Sequence, residues 1–279
     1  MQVVQTWQVL LNVACQGEQL MNLQGITNID YAGGSDRGKV RERNEDSFLC
    51  CSFDNSEVSL LVVADGVGGY AGGAQASQLA VETMRISVER ALLQVHSGGG
   101  YAEQWLEFTL MQAMMDANSA IMHQQNTQPE YEHMATTIVA VLIKSSEMVL
   151  SHLGDSRCYL YANQKLIQLT EDHTYLQDML NAGKIDQHEF ESLPMHNVIS
   201  QALGLTVEPV INIEHLLLEK NAMFLLCSDG LTNCISDSQI KYLLKTIQPV
   251  EACVDELIAS ANDNGGVDNI SAVLVICNA

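Results

Sequence analysis

The residues with the most chemical consequence are acids placed where apolar runs begin or end. Leu60-Leu61-Val62-Val63-Ala64 runs straight into Asp65-Gly66, and Met223-Phe224-Leu225-Leu226-Cys227-Ser228 runs into Asp229-Gly230. Asp268-Asn269 directly precedes Ile270–Ile276. Arg41-Glu42-Arg43-Asn44-Glu45-Asp46 leads into Ser47-Phe48-Leu49-Cys50, and Asp155 sits in Gly154-Asp155-Ser156-Arg157 between two further apolar runs. Any single Asp-Gly reads as a tight turn, because both residues tolerate positive φ, and Gly154–Arg157 alone passes as a two-residue turn between strands. Taken together, carboxylates at the mouths of buried strands are costly unless they are paired or bind cations. Basic partners are scarce: 13 Lys+Arg stand against 34 Asp+Glu, a formal net charge of −21. Cations are therefore the better explanation. An oxygen-only ligand set without His or Cys selects hard ions, Mg²⁺ or Mn²⁺, with Ca²⁺ less suited to a turnover site.

The same charge balance argues against nucleic acid and anionic membranes as partners, since both require a positive surface. The basic residues are unevenly placed: none precedes Arg37, and then Arg37, Lys39, Arg41 and Arg43 follow within one short stretch. Gly66, Gly68, Gly69, Gly72 and Gly73 make a glycine-rich segment, but it lacks the Lys and hydroxyl of a P-loop. The eight cysteines include no C-x-x-C pair, and several lie inside apolar runs, as in Leu226-Cys227 and Ile276-Cys277. Reduced, buried thiols in a cytoplasmic protein are expected. No secretory signal is read at the N-terminus, because no positive charge precedes Val9-Leu10-Leu11. No apolar run reaches the length of a membrane span.

The elements that must hold these acids are legible in outline. Short strands are expected at Ser59–Ala64, Thr137–Ile143, Met148–Leu153, Cys158–Tyr161, Lys165–Leu169, Ile211–Leu217, Ala222–Cys227 and Ile270–Ile276. Helical periodicity occupies Gly73–Leu93, Ala102–Gln124, Ser238–Thr246 and Glu251–Asn262, with Met111, Met114 and Met115 filling core. Helices come in pairs between groups of strands, an order that disfavours a doubly wound parallel sheet and favours an α+β layered fold of helix-covered antiparallel sheets. Residues 1–23 stand apart as an N-terminal extension, with Val3, Val4, Trp7, Leu10, Leu11 and Ala14 at helical spacing. That segment reads as an extra helix packed on the domain, an extension upstream of Met21, or a docking segment. Residues 24–279 read as one domain.

Arg41-x-x-Asn44-Glu45-Asp46, Val63-Ala64-Asp65-Gly66-Val67-Gly68-Gly69, Met134-Ala135-Thr136-Thr137, Gly154-Asp155-Ser156-Arg157, Leu169-Thr170-Glu171-Asp172-His173, Cys227-Ser228-Asp229-Gly230-Leu231 and Asp268-Asn269-Ile270-Ser271 follow one another in this order. The series resembles the metal-dependent protein phosphatases, the PPM or protein phosphatase type 2C family, in its bacterial form, over roughly residues 26–277. The resemblance implies a four-layer αββα sandwich of two antiparallel sheets flanked by helix pairs. It implies that Asp65 bridges two Mn²⁺ or Mg²⁺ ions, that Asp229 and Asp268 complete one, and that Glu45 and the Gly66 carbonyl hold the other. Asp46 then orients a water from behind the ligands, Asp155 with Asp229 matches a third-metal position, and Arg41 binds phosphate. The implied activity is hydrolysis of phosphoserine and phosphothreonine in proteins by a metal-bridging hydroxide.

Two departures from the family pattern stand out. Some members place a His shortly after the first Asp-Gly as a general acid, where this chain has Val67. Many bacterial relatives have Arg where this chain has His196, within an implied flap at about 175–197. His173 is read as a hydrogen-bonded structural residue. The expected partner is a phosphorylated protein, a Ser/Thr kinase or its targets, met by a monomeric enzyme. The alternative is a catalytically inactive phosphoprotein-binding module of the same fold. Such a module is expected to lose metal carboxylates, whereas this chain retains Glu45, Asp65, Asp155, Asp229 and Asp268.

Overall fold

A computed structural model describes residues 28–54, 57–67, 72–195 and 197–278. The expectations for residues 1–23 and for His196 lie outside them. The strands are β1 (Ile29–Asp36), β2 (Asp46–Phe53), β3 (Val58–Val67), β4 (Ala135–Thr136), β5 (Ile138–Lys144), β6 (Glu147–Leu153), β7 (Arg157–Ala162), β8 (Lys165–Gln168), β9 (Glu214–Leu217), β10 (Met223–Cys227) and β11 (Ile270–Cys277). The helices are α1 (Gly72–Gln94), α2 (Trp105–Thr127), α3 (Tyr175–Asn181), α4 (Gln187–Ser192), α5 (Asp229–Thr232), α6 (Asp237–Thr246) and α7 (Val250–Asp263). One sheet has the order β1-β11-β10-β7-β8, the other β2-β3-β5-β6-β9, and β4 pairs with the end of β3. All the pairings are antiparallel.

The apolar runs are long because each central strand is buried on both faces. Leu60, Val62 and Ala64 of β3 pack under α1 and α2 with Met84, Leu110 and Met114, while Leu61 and Val63 face the other sheet among Val139, Leu226 and Val273. Leu225, Cys227, Ala272 and Leu274 pack beneath α6 and α7 with Leu244 and Leu257. The result is helix pair, sheet, sheet, helix pair: the four-layer αββα sandwich. Each fully buried Leu or Val contributes about 1.5–3 kcal/mol relative to exposure, so the strand ends that carry the acids are anchored by the most strongly stabilised part of the molecule.

Two strands escape the apolar pattern. β1 contains Gly33-Gly34, and β2 alternates with Ser and Cys. At Gly33 a Cβ would lie 2.7 Å from the Phe48 ring and 2.8 Å from Cys50 Sγ, so the glycine lets β1 lie close over β2 of the facing sheet. The segment Gly154–Arg157 is a crossing and not a hairpin turn: β6 and β7 belong to different sheets, and Asp155 stands where the chain passes between them. Downstream, a bridge between Thr174 and Ile199 pinches off the excursion that carries α3 and α4.

Candidate active site

The acids singled out above collect at one end of the sandwich. Asp46 opens β2, Asp65 lies near the end of β3, Asp155 follows β6, Asp229 follows β10 and Asp268 precedes β11. Antiparallel pairing brings opposite strand ends together, which is why residues so far apart in sequence meet. Asp46 and Asp65 are direct register partners. Asp46 is buried; its Oδ2 accepts from Ser228 Oγ at 2.7 Å, and Ser228 Oγ accepts from the Ser271 amide at 3.0 Å. Burial, followed by the charges of Asp229 and Asp268, pushes Asp46 up to about 6. Asp155 is pushed up to about 7 by burial, then by Asp229 and Asp172. Burial and the negative charges of Asp46, Asp229, Asp155 and Asp268 hold Asp65 well above the ordinary carboxylate range. Asp229 is raised by burial and by the charge of Asp268, against the Asn233 amide that donates to its Oδ2 at 3.0 Å.

Glu45 is placed by its backbone. Its carbonyl accepts from the Gly66 amide at 3.2 Å and from Ser77 Oγ at 2.6 Å, and its amide donates to Asn269 Oδ1 at 2.8 Å. Gly66 and Gly73 are in close apposition: a Cβ on Gly66 would lie 2.2 Å from the Gly73 carbonyl oxygen. A Cβ on Gly73 would lie 2.8 Å from the Gly66 carbonyl oxygen and 2.9 Å from Glu45 Oε2. The Glu45 carboxylate and the Gly66 carbonyl therefore share one small cradle that only glycine leaves open. Asp65 is tied by its main chain, with its amide donating to Thr137 Oγ1 at 3.2 Å and its carbonyl accepting from the Thr137 amide at 2.8 Å.

Arg41 Nη2 donates to Asp268 Oδ2 at 2.7 Å, and the guanidinium is raised by that bond and by the nearby Asp65 and Glu45 charges. Half of its side-chain surface stays exposed. Its partner is thus Asp268, and not the neighbouring Glu42 or Glu45.

Three side chains matter to which the sequence reading gave no role. Asn269 donates from Nδ2 to the carbonyls of both Arg37 and Arg43 at 2.8 Å while its Oδ1 receives the Glu45 amide, so one buried amide fastens the whole Arg37–Glu45 loop. Arg157 makes a bidentate pair with Asp172, with Nε–Oδ1 at 2.9 Å and Nη2–Oδ2 at 2.6 Å. His152 stacks on His173 with centroids 4.4 Å apart, and His173 Nδ1 accepts from the Gly154 amide at 3.3 Å. Burial and His152 push His173 down to about 4, so it is a neutral acceptor supporting the Asp155 loop. In each case the signal in sequence was adjacency to a motif acid; the role depended on partners far along the chain.

A divalent cation pair suits this set. Asp46 Oδ1 and Asp229 Oδ1 are buried without a hydrogen-bond partner among the described residues, and such oxygens are costly unless something positive meets them. Among the described residues no three His, Cys, Asp or Glu groups already close around one point as a metal cage. The carboxylates are gathered by the fold but remain open, as they would be where water fills much of an ion's shell.

Comparison with known proteins agrees with this geometry. The family model described as Protein phosphatase 2C matches residues 34–274. The serine/threonine phosphatase stp of Listeria monocytogenes is 33% identical over 244 residues, covering 86% of this chain and 93% of that protein. The serine/threonine protein phosphatase PstP of Mycobacterium tuberculosis is 37% identical over 245 residues, covering 88% of this chain and 44% of that longer protein. The crystal structure of M. tuberculosis PstP/Ppp matches with a TM-score of 0.78 at 33% identity, over 90% of this chain and 99% of that one. The PstP catalytic domain in complex with two manganese ions matches with a TM-score of 0.71 at 35% identity, over 90% and 99%. With its layered sheets, its carboxylates at one end of the sandwich and these relatives, the chain belongs to the bacterial branch of the metal-dependent protein phosphatase family, protein phosphatase 2C.

Proposed function

We propose that this chain is a protein serine/threonine phosphatase that hydrolyses phosphoserine and phosphothreonine at a two-cation centre. The observation that carries the reading is the pair of buried, unpartnered oxygens, Asp46 Oδ1 and Asp229 Oδ1, inside a carboxylate cluster with few basic partners. Asp65, Asp229, Asp268, Glu45 and the Gly66 carbonyl would hold two Mn²⁺ or Mg²⁺ ions, with Asp155 and Asp229 available to a third. Bound there, such ions supply the Lewis acidity that makes water nucleophilic at neutral pH and offsets charge on phosphoryl oxygens.

The protein's own groups do the positioning. Asp46, fixed through Oδ2 by Ser228, keeps Oδ1 free to accept from a water and orient it. Arg41 uses one nitrogen on Asp268 and keeps the rest of its fork for phosphate oxygens, a geometry Lys cannot copy. All the cysteines among the described residues are free, which supports a reducing, cytoplasmic setting. No helix among the described residues is long and apolar enough to cross a membrane. The substrate is taken to be a phosphorylated Ser/Thr kinase or its targets, and the enzyme to act as a monomer. Hydrolysis of p-nitrophenyl phosphate and of a phosphothreonine peptide, in Mn²⁺ and in chelator, tests the reading. Turnover that needs the metal is expected; silence with metal, or full rate in chelator, would overturn it.

A further inference from the structure

Thr137, at the junction of β4 and β5, is fully buried, and its side chain meets two of the acid-bearing segments at once. Its Oγ1 accepts from the Asp65 amide at 3.2 Å and shares a hydrogen bond of 2.7 Å with Ser156 Oγ. Ser156 is itself buried and directly follows Asp155. The rest of the Thr137 side chain packs against Gly154, where a Cβ would fall 2.6 Å from Thr137 Cβ and 2.7 Å from its Cγ2. One threonine thus holds the main chain of Asp65 and touches both sequence neighbours of Asp155.

The link crosses from one sheet to the other. β3 and β5 belong to one sheet, while Ser156 leads into β7 of the other. The layer between them is largely apolar, with Leu61, Val63, Val139, Leu226 and Val273. A hydroxyl pair in such surroundings is strong when complete and costly when one partner is lost. Strand cohesion alone does not require it. The Thr137 amide donates to the Asp65 carbonyl at 2.8 Å, and Thr136 Oγ1 donates to the same carbonyl at 2.9 Å. What the Thr137 hydroxyl adds is a connection from Asp65 to the crossing segment. Gly154 exchanges bonds with His173 before Asp155: its amide donates to Nδ1 at 3.3 Å and its carbonyl accepts from the His173 amide at 2.9 Å. Asp155 is therefore bracketed, by His173 through Gly154 and by Thr137 through Ser156. The second bracket is the one that reaches Asp65.

We propose that the Thr137 hydroxyl, bonded to the Asp65 amide and to Ser156 Oγ, is a positioning group that fixes Asp65 and Asp155 relative to each other. Cation affinity at Asp65 then depends on a contact made beside Asp155. The proposal rests on the two-cation reading above and names two side chains which that reading leaves without a role. Groups behind metal ligands hold them in the geometry that an ion requires, and here the hold passes through a main-chain amide and a second hydroxyl.

Calorimetric titration of the metal-free chain with Mn²⁺ reads the effect without turnover. Thr137→Val keeps the shape and loses the hydroxyl; Ser156→Ala removes the cross-link and leaves the Asp65 bond in place. Each should weaken Mn²⁺ binding about tenfold. The double variant should bind no more weakly than Thr137→Val alone, because both act through one contact. Thr137→Ser restores the hydroxyl and should bind as the native chain does. Ser151→Ala removes a buried hydroxyl of β6 that donates to the Asn212 carbonyl at 2.9 Å. It should lose stability and keep its Mn²⁺ affinity, which separates positioning from general loosening. Native affinity in either Thr137→Val or Ser156→Ala would overturn the proposal. So would a Thr137→Ser variant as weak as Thr137→Val, or equal weakening in Ser151→Ala. If the native chain takes up no Mn²⁺, the two-cation reading has failed, and urea unfolding in chelator still reads the link. Non-additive losses for Thr137→Val and Ser156→Ala support it; additive losses overturn it.

Discussion

Asp46 and Asp65 stand directly opposite each other across β2 and β3, one buried and the other half-buried. Like charges in that register destabilise a sheet, and the surrounding Asp229 and Asp268 add to the repulsion. Asp46→Asn removes one charge while its amide oxygen can still accept from Ser228. The metal-free variant should be more stable by about 1 kcal/mol, measured by urea unfolding in chelator. If Asp46 orients the attacking water as proposed, turnover in Mn²⁺ should fall more than tenfold, because Asn is the weaker acceptor.

Protonation relieves the charge of the carboxylate cluster in the metal-free chain. Asp46 at about 6 and Asp155 at about 7 sit above the unfolded carboxylate value of about 3.9. The folded chain therefore binds more protons than the unfolded one between roughly pH 7 and 4, and stability rises as pH falls through that window. His173 acts in the opposite sense: at about 4 in the fold, against about 6.5 unfolded, its contribution is lost as pH drops below about 6.5. That opposing effect is reduced by the partial solvation of the ring. In chelator, stability should increase on going from pH 7.5 to 5.5 by about 1 kcal/mol, and more steeply in His173→Gln. Saturating Mn²⁺ should abolish the increase. Urea midpoints at the two pH values check both statements.

Asn269→Ala should cost about 2–3 kcal/mol, since it leaves the Glu45 amide and the carbonyls of Arg37 and Arg43 without their partner. Because the same loop carries Arg41 and Glu45, KM for a phosphothreonine peptide should rise together with the Mn²⁺ concentration needed for half-activation. A stability loss with unchanged metal requirement would show that the loop is held by other contacts.

Arg41→Lys keeps the charge but loses the fork that holds Asp268 through one nitrogen and, in the proposed function, phosphate through the others. KM for the phosphopeptide should rise about tenfold, by roughly 1.4 kcal/mol of lost binding, with thermal stability within about 1 °C of the native chain. Steady-state kinetics and a thermal melt separate the two effects.

Much of the acid-bearing end was legible before any fold. An acid following a run as apolar as Leu60–Ala64 or Met223–Cys227 is a costly choice, and its repetition along the chain marked the cluster. The paired helical blocks and the central strands were also visible, because burial on both faces of a strand demands continuous apolar residues. β1 was not visible: Gly33 belongs there because Phe48 and Cys50 of the facing sheet leave no room for a Cβ, a constraint written in other segments.

By itself, then, the sequence determined which residues carry charge and where apolar strands deliver them, and it raised the expectation of cations among them. Only the tertiary structure decided who faces whom. Arg41 pairs with Asp268 and not with its neighbours in sequence, Asn269 fastens the Arg37–Glu45 loop, Asp46 opposes Asp65, and Asp155 lies at a crossing between sheets. The physical reason is that local propensity sets strands and helices within a few residues, whereas strand register and sheet order bring distant strand ends together. The carboxylates' raised pKa values and unpartnered oxygens are properties of that juxtaposition and of no residue alone.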